Sequence, residues 1–170
     1  MRESIGTAWI MIIVMTFITL FSGYLAFSIN YSKSFRVKDG IVERIHKYNG
    51  FNKKSGKTTL EEIDEFLNQI GYNARGDCYS LCHEESDNDN YVGITGTTVT
   101  KGDSTRGNGY NYCIIRVKTP KKGLADNPSS YYKVIVFFSL QIGQISLFSK
   151  FHTQGETQSM FYVDDSLVFS

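Results

Sequence analysis

Residues 5–29 read IGTAWIMIIVMTFITLFSGYLAFSI, from Ile5 to Ile29, with no charged residue and no proline. A bilayer core about 30 Å thick requires roughly 20 apolar residues as helix, at about 1.5 Å per residue. The stretch exceeds that requirement slightly, and modest tilt absorbs the surplus. A buried helix of a soluble domain would be shorter and polar on one face. A cleaved signal would place a short apolar region behind a basic leader. Ala26-Phe27-Ser28 supplies a small-x-small site, but the leader is only Met1-Arg2-Glu3-Ser4 and the apolar run is long. The reading is an uncleaved transmembrane anchor over residues 1–30 and an extracytoplasmic α+β domain over residues 31–170. Trp9 and Tyr31 stand near the two ends of the run, where interface aromatics belong.

Orientation is contested within the sequence. Lys33, Arg36 and Lys38 follow the run, whereas Arg2 and the α-amine precede it, offset by Glu3. Positive charge alone would hold the C-terminal side in the cytoplasm. Three cysteines and a body rich in Gly, Asn, Ser, Thr and Tyr argue for export. The expectation is a single-pass protein of the cell membrane, N-terminus cytoplasmic and body outside.

Composition narrows the class. In 170 residues, 18 Lys and Arg nearly balance 17 Asp and Glu, which leaves no basic field for nucleic acid. The roughly 140 residues beyond the anchor suffice for one core. Tyr and Phe concentrate in the C-terminal half and favour strands.

The helix is expected to continue past Ile29. No proline intervenes before Tyr48, and Val37, Ile41, Ile45 and Tyr48 form one apolar stripe, widened by Phe35 and Val42. Lys38, Glu43, Arg44 and Lys47 take other faces. Gly40 weakens the middle, and Asn49-Gly50 stops the helix. Thr59 with Glu62 reads as a capping box opening a second helix. Its stripe is Leu60, Ile63, Leu67 and Ile70, with Phe66 beside it and Gly71 as C-terminal cap. From Tyr91 onward the pattern turns to strands: Tyr91–Ile94, Thr97–Thr100, Tyr110–Lys118, Tyr131–Leu140, Ile145–His152 and Gln158–Val163, with Gly155 as a break. Short strands separated by turn signals imply an antiparallel sheet, with a helix covering its apolar side.

Chemistry-bearing residues are sparse. Gly56-Lys57-Thr58 carries the end of a phosphate-binding loop, but Asn52 stands where its first Gly belongs. Cys78, Cys82, His83 and Cys113 offer zinc donors, yet Cys82 and His83 are adjacent and rarely face one ion together. Asp87 and Asp89 resemble the start of a calcium loop without its turn glycine. In an oxidising space, one disulfide and one free thiol is the simplest outcome. Cys78–Cys113 is the expected pair, since it ties an irregular loop to a central strand; Cys78–Cys82 is the alternative. His46, His83 and His152 form no nucleophile–base pair in sequence, and neither G-x-S-x-G nor H-E-x-x-H occurs. No catalytic, cofactor or metal residue is assigned, and no enzymatic activity is expected.

The order of a charge-free helix, an amphipathic extension, a variable loop region and an antiparallel sheet resembles type IV pilin-like proteins. It also resembles TadE-like minor pilins of tight-adherence pili. The segment Tyr131–Thr157, an aromatic strand followed by QIGQI and then GET, is similar to the distal strands of small TadE-type proteins. Gly6 stands where pilins are cleaved, but cutting there leaves Met11 at the fifth mature position, where pilins carry Glu; Glu3 precedes the run instead. The resemblance implies helix-against-helix packing of the anchor, with Gly6, Ala8, Gly23 and Ala26 permitting close approach. It also implies that Glu3 pairs with Arg2 or a neighbouring chain's α-amine. Partners are then the lipid bilayer and proteins of a membrane or pilus assembly, with oligomerisation through the anchor. Two other roles fit the same sequence: an anchored module displaying loops such as Lys101–Gly109 to an extracellular partner, or a cytoplasm-facing anchored adaptor.

Overall fold

The computed structural model of the protein describes residues 2–54, 56–86, 90–107, 109–118, 129–142, 145–161 and 166–169, with side-chain surroundings for all of these except 2–5, 139–142, 145–150 and 166. One helix, α1 (Arg2–Tyr48), crosses the expected boundary at residue 30 without a break. Its stripe is buried: Val37, Ile41 and Ile45 are fully enclosed and Tyr48 nearly so. Asn49 ends the helix in the left-handed region, at φ 54°. The Asn49 amide donates to the His46 carbonyl and the Gly50 amide to the Ile45 carbonyl, a Schellman closure that satisfies two orphan carbonyls.

Two expectations for α1 need correction. Phe35 does not widen the buried stripe but stays exposed. Lys38 is buried rather than on an outer face, because its methylene stem crosses a strand at Gly155 while its ammonium lies 3.5 Å from the Phe35 ring centroid and 3.1 Å from Asp39.

The short pair β1 (Lys53–Lys54) and β2 (Lys57–Thr58) leads into α2 (Thr59–Gln69). The capping box exists one residue earlier than expected. Thr58 is the N-cap: its hydroxyl accepts from the Glu61 amide at 3.2 Å, and the Glu61 carboxylate accepts from the Thr58 amide at 2.7 Å. Thr59 is instead buried, donating to the Gly50 carbonyl at 2.9 Å and so fixing the turn between the helices. Glu62 is taken by Lys47 of α1, at 2.6 Å. Gly71 closes α2 as expected, at φ 59°, with the Tyr72 amide donating to the Leu67 carbonyl.

A short helix, α3 (Tyr79–Cys82), precedes the sheet. The strands are β3 (Tyr91–Thr95), β4 (Thr98–Lys101), β5 (Tyr112–Lys118), β6 (Ser129–Ile142), β7 (Ile145–Glu156) and β8 (Met160–Phe161); a final turn of helix, α4, covers Ser166–Phe169. The sheet is antiparallel in the order β4-β3-β5-β6-β7, with β8 also on β6. Period-two alternation divides its side chains between two cores. Val92, Ile94, Tyr112, Ile114, Tyr132, Val134 and Val136 face α1 and α2. Tyr91, Cys113, Ile115, Ile135 and Phe137 face the α3 segment with Cys78 and Cys82. The fold is α+β: a long apolar N-terminal helix packed on an antiparallel sheet.

Gly155 does not break β7. A Cβ there would sit 2.6 Å from Lys38 Cδ, so glycine is what allows the lysine stem to lie on the strand. β7 consequently runs past its expected end at His152 to Glu156, and β6 covers Ser129–Ile142 rather than Tyr131–Leu140.

Candidate functional site

Two regions stand out: the apolar half of α1 with the surface where the sheet meets it, and the disulfide-bonded back of the sheet.

The first begins with exposure. Trp9, Ile10, Met11, Ile12, Ile13, Met15, Phe17, Ile18, Leu20 and Phe21 are all exposed large hydrophobic residues. The residues from Gly6 onward carry a mean hydropathy of 2.2 in their most apolar window, none of it buried. A contiguous apolar surface of this size is costly in water. The helix is long and apolar enough to cross a membrane.

Where the sheet meets that helix, the contact is aromatic. Phe27 lies 6.0 Å from Phe138 and 5.6 Å from Phe151, both edge-on, and Phe138 stacks on Phe151 at 5.2 Å. Tyr31 lies 6.0 Å from Phe138 and from Phe35. Such pairs contribute about 0.5–1.5 kcal/mol each beyond their area burial. Just above sit the cations. Lys33 donates to the Gly71 carbonyl at 3.0 Å, and Lys33, Arg36 and Arg44 line a groove of about 640 Å³ between α1 and α2, with Asp39, Glu43, Phe66 and Ile70.

The expected packing residues are placed unevenly. Ala8, Gly23 and Ala26 share one face of α1 by helical geometry, with Gly6 nearly opposite Ala8. Gly6 and Ala8 are exposed, and Gly6 has nothing within 4 Å of its missing Cβ. Gly23 and Ala26 are half-buried on the side of Phe27 and Asn30. Gly6 and Ala8 are thus exposed, whereas Gly23 and Ala26 lie half-buried near the face that carries Phe27. Glu3 lies in the first turn of α1, and its side chain lies outside the described residues.

The second region centres on Cys78 and Cys113, joined by a disulfide across a separation of 35 residues. Cys82 is the free, buried thiol. Burial first, and then the Glu85 carboxylate, raises its pKa to about 12, so it stays protonated at neutral pH. Zinc donors do not gather here: among the described residues no group of three His, Cys, Asp or Glu side chains is placed to hold a metal. Asp87 and Asp89 lie outside the described residues.

The histidines serve local structure. His46 Nε2 accepts from the Gln158 amide at 3.1 Å. His83 stacks on Tyr79 at 4.5 Å and places Nδ1 3.6 Å from Asp103. His152 is an exposed residue of β7. Arg106 covers the other feature of this surface, donating to the Tyr79 hydroxyl at 2.8 Å with its guanidinium 4.1 Å from the Tyr79 ring. Sequence reasoning missed the Phe27–Tyr31–Phe138–Phe151 cluster. Its members are aromatic in a region already rich in aromatics, and only the pairing of β6 with β7 brings them together.

No protein-family model, curated protein or solved structure matches the chain.

Proposed function

We propose that the chain is a single-pass, non-enzymatic membrane protein whose helix α1 anchors an extracytoplasmic head and joins it to a larger assembly, in the manner of a minor pilin. The observation that carries this reading is the bare apolar half of α1, fused without a break to a folded head. Lipid is the solvent in which that surface is stable. The disulfide supports placing the head in an oxidising space. The arrangement of a long helix laid on an antiparallel sheet is the one expected of the pilin resemblance.

Orientation is tested by replacing exposed Lys54 with cysteine and treating intact cells with a membrane-impermeant maleimide. Labelling before permeabilisation is the expected result; labelling only after it would overturn the external placement. The assembly role is tested by cross-linking in native membranes with Gly6→Leu and Ala8→Leu. Loss of cross-linked partners, with the head still folded and disulfide-bonded, is expected. Unchanged partners would move the contact off the anchor. In that event the exposed Arg106–Tyr79–His83 surface becomes the place to look for a displayed binding face.

A further inference from the structure

We propose that a polar cavity beside Lys33, at the foot of the head, binds the phosphate of an anionic phospholipid from the adjoining leaflet. The inference rests on the anchor reading above and names a lipid partner for the head itself. Helix α2 returns along α1 toward the apolar half. Lys47 meets Glu62, the Phe66 ring lies against Gly40, and Lys33 donates to the Gly71 carbonyl at 3.0 Å. The end of α2 and residues 71–74 are therefore level with Asn30, Lys33 and Ser34. Between them lies a cavity of about 280 Å³, which Phe138 also lines.

The level of this cavity follows from the helix. Residues 5–29 span about 36 Å as helix, against a hydrocarbon core of about 30 Å. Centred on that core, the run extends about 3 Å past it at each end. Asn30 then stands about 5 Å, and Lys33 about 9 Å, beyond the hydrocarbon. The polar layer of a leaflet is about 5–8 Å deep. A helical side chain leans toward the N-terminus of its helix, so the Lys33 stem slopes back toward that layer.

The lining suits a phosphate. The Lys33 ammonium has three N–H groups and gives one to Gly71. Asn73 is exposed at the cavity, and among the described residues the Asn73 and Ala74 amides donate to no backbone carbonyl. An ammonium, a side-chain amide and backbone amides are the donors that an anionic oxygen takes. No carboxylate lines the cavity; Asp39 and Glu43 line the groove higher on α1, which shares Lys33. A zwitterionic headgroup would bring its amine to Lys33 with no acid to receive it, so an anionic lipid is favoured. Toward the bilayer, Phe138 stacks on Phe151 and meets Phe27, an apolar wall for the glycerol and the first acyl carbons. Closeness to the headgroup layer makes lipid, rather than a solute phosphate, the assigned occupant.

The test uses the full chain in neutral detergent, with bound lipid counted by native mass spectrometry during titration with phosphatidylglycerol or phosphatidylcholine. A thiol count and near-ultraviolet circular dichroism confirm that each variant keeps its bridge and its fold. One phosphatidylglycerol per chain is expected, held about tenfold more tightly than phosphatidylcholine. Lys33→Gln and Asn73→Asp should each weaken it about tenfold, while Lys33→Arg keeps most of the affinity. Arg36→Gln removes an exposed cation of the upper groove alone and should change it less than about twofold. Asn73→Asp alters an exposed residue, so it keeps the test open should Lys33→Gln loosen the end of α2. Equal affinity for both lipids, or equal losses from Arg36→Gln and Lys33→Gln, would overturn the proposal. Displacement of the lipid by millimolar inorganic phosphate would assign the cavity to a free anion and overturn it too. Trp9 is the only tryptophan, and its quenching by brominated lipid in bilayers would leave the anchor reading intact through any of these failures. Absence of that quenching would overturn the anchor, and with it the level of the cavity.

Discussion

Removing the disulfide with the paired replacements Cys78→Ala and Cys113→Ala isolates what holds the back of the sheet. The bridge closes a segment of 35 residues that contains α3, β3 and β4. In the chain-entropy treatment, a loop of this length stabilises the folded state by about 4 kcal/mol at 25 °C. Alanine avoids placing unpaired hydroxyls in a site where both sulfurs are fully buried. For a head of roughly 140 residues, a loss of that size lowers the melting temperature by about 12–15 °C. The assay is thermal melting of the full chain in nanodiscs, followed by near-ultraviolet circular dichroism, which reads the tyrosines of the head rather than the helix content of α1. Wild type reduced under the same conditions should melt with the double variant. A loss under about 1 kcal/mol would refute the reasoning, because it would mean that the unfolded chain gains little freedom when the bridge is cut.

Other outcomes follow from packing and ionisation. Gly40→Ala should destabilise by about 1–2 kcal/mol despite alanine's better helix propensity, because its Cβ would fall 2.3 Å from Phe66 Cζ; adding Phe66→Leu should recover part of the loss in denaturant melts. Glu61 has its pKa lowered from 4.5, first by the Thr58 backbone hydrogen bond and then by the Thr58 hydroxyl. Its contribution is therefore full above 4.5 and lost as pH falls through the lower folded value. Wild type should lose more stability than Glu61→Gln across that acid range, read by denaturant midpoints. Cys82 should resist alkylation in the folded protein at pH 8, with only about one thiol in 10⁴ ionised, and react fully once unfolded; fast labelling of folded protein, measured by mass, would contradict its burial.

Much of the helical part was legible because its signals are local. Apolar spacing marked the buried face of α1, and Asn49 and Gly71 marked two helix ends. The capping box fell one residue early because Thr58-Thr59 and Glu61-Glu62 satisfy the pattern in two registers. The choice between them rests on long-range partners, the Gly50 carbonyl for Thr59 and Lys47 for Glu62. Gly155 reads as a break in sequence, since nothing local shows that a lysine more than a hundred residues earlier requires the space. Likewise, alternation located β6 and β7 but not the packing of Phe138 and Phe151 on Phe27, which depends on the pairing of the two strands. The pairing of Cys78 with Cys113 followed from the elements they join, whereas the burial of Cys82 behind the sheet required the packing of α3.

Because the bare apolar half of α1 and the half packed on the sheet are one helix, the protein lacks a swivel between the two. Tilt of the helix is tilt of the sheet, and the Tyr48 end stands about 28 Å along the axis from Ile29. A pull on either end is borne by the shear contact between the helix and the strands that flank Lys38, so the molecule behaves mechanically as a strut.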